Sequence, residues 1–164
     1  MITFPTSHPC VPLSICIKRK ELLPSYADPL SSGFDLKADL VDPVNGSCYD
    51  ITLHPGDTKL IPTGIRSIIP PGYEIQIRSR SGLALNHGVV VSNSPGTIDE
   101  GYRHYWGIIL YNHGQESFVV HDSMKVAQAV LVPVVHADIS IITEAELSQN
   151  VTTRGTGGFG STGL

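Results

Sequence analysis

The chain has 164 residues, 41% hydrophobic and 16% charged, with a formal net charge of -4. That length and apolar share suit one folded domain with a proper core rather than a disordered chain. The acidic balance excludes a broad basic surface for duplex nucleic acid, so no direct nucleic-acid contact is expected.

Sixteen Gly and twelve Pro are scattered along the chain rather than clustered, which argues for many short strands joined by turns. In chain order, Leu13, Ile15 and Ile17 alternate with polar residues, as strands do. Ser31–Ala38 reads as a turn entering a strand and carries one carboxylate, Asp35. Lys59–Ile69 holds two strands broken by Pro62-Thr63-Gly64, and Tyr73, Ile75 and Ile77 alternate again. Arg80–Asn86 forms one short turn of helix. Val89–Val91, Gly107–Tyr111, Phe118–Val120 and Val130–Val135 are apolar runs of strand length. Asn93–Arg103 lies between two of these runs and reads as a long hairpin. Lys125–Gln128 opens a strand. Thr143–Leu147 makes a second short helix, with Thr143 as N-cap and Glu146 three residues on. The fold class is therefore all-β, a jelly-roll-like β-barrel or sandwich. The domain runs over residues 1–150 and is followed by an arm over 151–164.

That arm is the odd segment, with five glycines among Arg154–Leu164. Such a run cannot pack a core and is flexible unless something orders it. It also holds Arg154, Phe159, Gly160, Ser161 and Thr162. Glycine lets backbone N–H groups approach an anion closely, and Arg and hydroxyl groups add donors. It is not a phosphate loop of the Gly-Lys-Ser/Thr type. Arg78–Ala84 places Arg80, Ser81 and Gly82 at a helix start, where free N–H groups and an Arg suit an anion. Each of these segments also has a plainer role open to it: Asp35 capping a turn, Arg80 in a surface ion pair, Asp99 in an ordinary hairpin, Gln128 satisfying a backbone group in the sheet.

Cys10, Cys16 and Cys48 form no CxxC pair and read as reduced thiols, and the seven His show no ligand spacing. His121 and His136 fit strand ends better than zinc ligands. No window approaches the ~20 apolar residues of a membrane span, and Met1–Cys16 lacks the regions of a secretory signal.

Five segments, in order, resemble the five motifs of the trimeric dUTPase family. They are Ser31–Ala38, Arg78–Ala84, Asn93–Arg103, Lys125–Gln128 and Arg154–Gly163. Arg80-Ser-Gly-Leu-Ala84, Gly96-Thr-Ile-Asp-Glu-Gly-Tyr-Arg103 and the whole of Arg154–Gly163 carry most of the likeness. The resemblance implies a homotrimer of jelly-roll subunits with three shared active sites, each closed by an arm from another subunit. It implies hydrolysis of dUTP to dUMP and pyrophosphate, which keeps uracil out of DNA and supplies dUMP for dTMP synthesis. Asp99 would be the general base for water attack on the α-phosphorus. Tyr102 would lie against the deoxyribose and exclude a 2′-hydroxyl. Asn93, Thr97, Ile98 and Gly107 would line the uracil pocket. Arg80, Ser81, Gly82 and Gln128 would hold the phosphates. Arg154, Gly160, Ser161 and Thr162 would clamp their far end, and Phe159 would stack on the base. Mg²⁺ is the implied cofactor, held by substrate phosphates and water with no direct protein ligand. Asp35 would support the site. The location would be cytoplasmic, or nuclear in a eukaryotic or viral setting.

The chain departs from the family pattern at His104-Tyr105-Trp106, three bulky rings expected at the pocket rim or a subunit contact. It departs again at Ser123-Met124-Lys125, where Lys replaces Arg and loses a planar fork. Deamination of dCTP by a related trimer is disfavoured, because Gly107–Asn112 carries no acid to shuttle protons. A catalytically inactive, nucleotide-binding or signalling trimer is the other alternative, and it sits poorly with an intact Asp99, Tyr102 and glycine-rich arm.

Overall fold

The computed structural model describes residues 10–158. The chain divides into two units, Met1–Val134 and Val135–Leu164.

Alternation drives the first unit. Its strands are β1 (Ser14–Ile17), β2 (Ser25–Tyr26), β3 (Phe34–Lys37), β4 (Ile51–Leu53), β5 (Thr58–Pro62) and β6 (Ile65–Ile68). They continue with β7 (Tyr73–Arg78), β8 (Val89–Val91), β9 (Gly96–Ile98), β10 (Gly107–Asn112), β11 (Phe118–Val120) and β12 (Lys125–Pro133). One helix, α1 (Ser81–His87), stands between β7 and β8. All-β is thus the class the alternation implied. Among the described residues all strand pairings are antiparallel. The largest sheet runs β2-β3-β12-β7-β9, a second runs β5-β10-β8, and β1-β6 and β11-β4 are two-stranded.

Among the described residues these sheets are open, and no closed barrel forms. A barrel needs one continuous hydrogen-bonded register. Here Pro62-Thr63-Gly64 breaks the run between β5 and β6, and the two halves join different sheets. Gly64 sits at φ +64°, in the left-handed region that favours glycine.

The inward faces meet in a single apolar cluster that includes Leu36, Leu53, Ile61, Ile75, Val89, Ile108 and Leu110. β10 is buried at every second residue, and that period continues backwards to Trp106, which is fully buried. Trp106 is therefore a core residue, not the rim or contact residue its bulk suggested. Its own alternation with Ile108 and Leu110 was the signal that assigns it inward. The last strand, β12, ends at Pro133, two residues short of the expected Val135, which is exposed.

Among its described residues the second unit has one helix, α2 (Glu144–Gln149). Thr143 caps it with a reciprocal box: its hydroxyl accepts from the Glu146 amide, and the Glu146 side chain accepts from the Thr143 amide. Among the described residues no helix is long and apolar enough to cross a membrane.

Candidate active site

The five-stranded sheet brings three expected site residues to one place. Gln128 on β12 stands opposite Asp35 on β3 and Arg78 on β7, so these side chains share one face. Asp35 is almost buried and accepts two cations: Arg80 Nε at 3.1 Å on one oxygen and Lys125 Nζ at 2.7 Å on the other. Arg80 Nη1 also donates to the Lys125 carbonyl at 3.2 Å. Gln128 Nε2 donates to the Ser79 carbonyl at 2.9 Å. A side chain at Gly33 would collide with Gln128 Oε1, so that glycine leaves room for the amide.

Lys125 reaches this face through a bulge. The β3–β12 register slips between Lys125 and Ala127, so that Lys125 stands opposite Lys37. Lys37 and Asp35 lie two apart on β3 and share a face, which brings Lys125 within reach of Asp35. Without the extra residue, Lys125 would point to the other face. The cluster holds two cations against one carboxylate, a surplus suited to an anion. Arg80 is the N-cap residue of α1, and among the described residues that helix start has no side-chain cap. Ser81 and Gly82 beside it are exposed, with open space at Gly82. Glycine is required at the other end of α1: Gly88 has φ +66°, and a Cβ there would lie 2.6 Å from the Gly114 backbone nitrogen.

The second group of expected residues lies on the connection from β8 to β10, the hairpin anticipated above. The structure adds β9 to it, hydrogen-bonded to β7 with Ile98 opposite Ile75. Asn93, Thr97 and Asp99 are exposed and Ile98 is buried. Asp99 opens a tight turn whose carbonyl accepts the Tyr102 amide at 3.0 Å. Arg103 Nη1 closes the turn by donating to the carbonyls of Glu100 and Tyr102. Gly107 opens β10 with the Leu60 side chain against it.

β9 runs beside β7 from Ile77 back to Ile75, so the Asp99 turn lies toward the start of β7 while the Arg80 cluster lies beyond its end. Glu100 accepts the Gly72 amide at 3.0 Å, just before β7 begins. Arg80 follows the strand's other end. The six residues of β7 separate them by about 20 Å at ~3.3 Å per residue. Within one chain, Asp99 and the Arg80 cluster are thus too far apart to act on the same phosphorus.

In the second unit, Arg154 Nε donates to the Gly157 carbonyl at 2.9 Å, and Gly155 takes φ +53°. Phe159, Gly160, Ser161 and Thr162 lie outside the described residues.

One cluster had no sequence signal. Arg19 is joined through Nε to Asp39 (3.0 Å) and through Nη1 and Nη2 to Asp122 (3.2 and 2.6 Å). Asp122 also accepts the Leu40 amide at 2.8 Å and the Ser123 hydroxyl at 3.0 Å. Burial pushes the Asp122 carboxyl up, but the bonds from Arg19, Leu40 and Ser123 outweigh it and hold the group below the usual carboxylate range. The partners are 103 and 82 residues away in sequence, beyond any local pattern. The cluster pins the turn at Ser123, itself at φ +61°, two residues before Lys125.

The unit thus carries a guanidinium–carboxylate–ammonium cluster with one surplus cation past one end of β7 and an exposed acid–tyrosine turn toward the other. Comparison with known proteins gives it a family. The dUTPase family model matches residues 19–163, and the chain belongs to the dUTPase family. It is 47% identical over 148 residues to the deoxyuridine 5′-triphosphate nucleotidohydrolase of Gloeothece citriformis, covering 90% of this chain and 93% of that one. It is 48% identical over 141 residues to the enzyme of the same name from Chlamydia pneumoniae, covering 86% and 90%. Among solved structures, the dUTPase of Staphylococcus bacteriophage 80alpha with dUPNHPP shares the fold at a TM-score of 0.76 and 23% identity, over 93% of this chain and 99% of that one. A mutant dUTPase of phage phi11 of S. aureus, described with a structural Mg(II) ion, matches at a TM-score of 0.68 and 21% identity, over 83% and 99%.

Proposed function

We propose that this protein hydrolyses dUTP to dUMP and pyrophosphate, acting as a homotrimer of jelly-roll subunits with active sites shared between subunits. The observation that carries the shared-site reading is the placement along β7: Ile98, just before Asp99, pairs with Ile75, and Arg80 follows the strand's end, a backbone separation of about 20 Å at ~3.3 Å per residue. A neighbouring copy would bring a second chain's Arg80 cluster to the first chain's Asp99. An arm over residues 151–164 would then close over the ligand, with Arg154, Ser161 and Thr162 toward the phosphates, Gly160 leaving the backbone room, and Phe159 on the base.

Asp99 is exposed at the turn, where a carboxylate can hold and deprotonate the attacking water. Tyr102 faces the sugar. The backbone around Asn93, Thr97, Ile98 and Gly107 reads uracil through donors and acceptors that cytosine would mismatch. Arg80 keeps the orientation given by Asp35 and offers its Nη2 edge to phosphate, beside Ser81, Gly82 and Gln128. Mg²⁺ would enter with the triphosphate and neutralise charge on the leaving pyrophosphate. Both Asp35 oxygens already hold cations, so Asp35 fits a contact through water better than direct ligation. Mg²⁺ retains waters and takes phosphate oxygens readily. Removal of dUTP from the nucleotide pool, with supply of dUMP, follows from this chemistry.

The test is pyrophosphate release with Mg²⁺ from dUTP, UTP, dCTP and dTTP in turn. Release from dUTP alone is expected, and Asp99→Asn should lower it by roughly 10²–10⁴-fold. Mixing refolded Asp99→Asn and Arg80→Ala subunits should restore part of the activity, because some sites then draw both intact residues from different chains. No release from dUTP refutes the enzyme reading. No recovery on mixing refutes the shared site.

A further inference from the structure

The three rings after Arg103 are where this chain leaves its family's pattern, and the structure gives the middle one a specific setting. Trp106 is fully buried. Its amide donates to the Ile65 carbonyl at 2.7 Å, and its carbonyl accepts the Thr63 amide at 3.2 Å and the Thr63 hydroxyl at 2.8 Å. The residue before it, Tyr105, turns outward. Lys18 Nζ lies over its ring at 4.8 Å from the centroid and the Arg66 guanidinium at 5.3 Å.

Both cations are themselves held. Arg66 is on β6 opposite Cys16 on β1, and the Lys18 amide is tied to the Gly64 carbonyl at 3.0 Å. Lys18 Nζ also reaches the buried Asp39 at 3.4 Å. Tyr105 is thus fixed at its ring by two cations and through its neighbour by the core. Its carbonyl is then a fixed point, and that carbonyl accepts the hydroxyl of Tyr102 at 3.2 Å.

We propose that Tyr105 is a positioning residue for sugar selection: the cation-held ring fixes the carbonyl that holds the Tyr102 hydroxyl, and so fixes the Tyr102 ring where a ribose 2′-hydroxyl would need space. This rests on the reading of Tyr102 as the residue facing the sugar. A looser Tyr102 can swing aside for a ribose, so the loss falls on discrimination between deoxyribo- and ribonucleotide. Turnover of dUTP, which needs no such exclusion, is affected less.

The test compares kcat/KM for dUTP and UTP in the full-length protein with Mg²⁺. Each cation–ring contact is worth roughly two- to fivefold, so Tyr105→Ala should narrow the dUTP-to-UTP ratio by roughly tenfold. Most of that change should come from better use of UTP. Tyr105→Phe keeps the ring face toward both cations and should restore the ratio. The double variant Lys18→Met/Arg66→Met, which leaves the loop sequence intact, should narrow it as Tyr105→Ala does, and it decides the matter if Tyr105→Ala does not fold. Tyr102→Ala separates the two readings. If it narrows the ratio while Tyr105→Ala and the double variant do not, the positioning role is wrong and the sugar-facing role stands. If Tyr102→Ala leaves the ratio unchanged, the sugar-facing role fails and the positioning role fails with it. If Tyr105→Phe is as impaired as Tyr105→Ala, the cation-held ring is refuted.

Discussion

Asp122 offers the sharpest check on the physical reasoning, because its four acceptor bonds divide into parts of different worth. Asp122→Ala orphans the amide of Leu40, a fully buried residue. An unpaired buried N–H costs about 1–3 kcal/mol. The substitution also removes the two-pronged contact with Arg19, whose side chain is 27% exposed, and such a partly solvated pair is worth about 1 kcal/mol. The sum is about 3 kcal/mol. With an urea slope of about 2 kcal/mol per molar, the unfolding midpoint should fall by roughly 1.5 M. Asp122→Asn keeps a carbonyl oxygen for Leu40 and should lose only about 1 kcal/mol. Urea unfolding of the three proteins at one fixed concentration measures this; the fixed concentration matters because association adds to stability. Loss of less than about 1 kcal/mol in Asp122→Ala, or equal losses in the two variants, would refute the reasoning. The pH dependence has a definite sign. The folded carboxyl lies below its ordinary value, so its contribution is complete above ~pH 3.9 and is lost as pH falls through the folded value. The gap between wild type and Asp122→Asn should therefore close in acid below ~pH 4, and not near neutrality.

Four further substitutions, one of them a control, test the packing that holds the site. Gly64→Ala forces a side chain into the left-handed region and places its Cβ 2.6 Å from Leu22 Cδ1 and 2.8 Å from Asp39 Oδ2; the cost should be about 3 kcal/mol, seen as a fall in Tm of roughly 6–12 °C. Gly56→Ala, at φ +85° with nothing within 4 Å, is the control and should cost only about 1–2 kcal/mol. Trp106 Nε1 is buried without a hydrogen-bond partner among the described residues, so Trp106→Phe removes an unsatisfied donor along with some volume, and the two effects should cancel to within about 1 kcal/mol. Trp106→Ala should lose about 3–5 kcal/mol in the same denaturation assay.

Much of this molecule is written in short-range pattern. Alternation at Tyr73–Ile77 and at Gly107–Tyr111 marks strands because a strand sends successive side chains to opposite faces. Pro62-Thr63-Gly64 marks a break because Pro lacks an N–H and Gly64 accepts a left-handed φ. Thr143 and Glu146 mark a helix start through two reciprocal bonds three residues apart. The residues of the candidate site were legible for a related reason: Arg80, Asp99, Tyr102 and Gln128 stand in runs of unusual chemistry whose order along the chain is itself the signature.

What local pattern cannot carry is pairing between distant strands. Asp35, Arg80 and Lys125 meet only because β3, β12 and β7 lie side by side, and Lys125 reaches them only because the register slips by one residue before Ala127. Trp106 is core rather than rim because the β10 alternation extends past Gly107. Arg19, Asp39 and Asp122 form one network across most of the chain's length. The sequence alone determined the strand-rich class and the chain breaks, and it singled out the residues proposed for the site, since each depends on a few neighbouring side chains. The tertiary structure alone decided which of those residues touch, and that Asp99 and Arg80 stand a strand's length apart, because contact and separation are set by sheet order and register rather than by spacing along the chain.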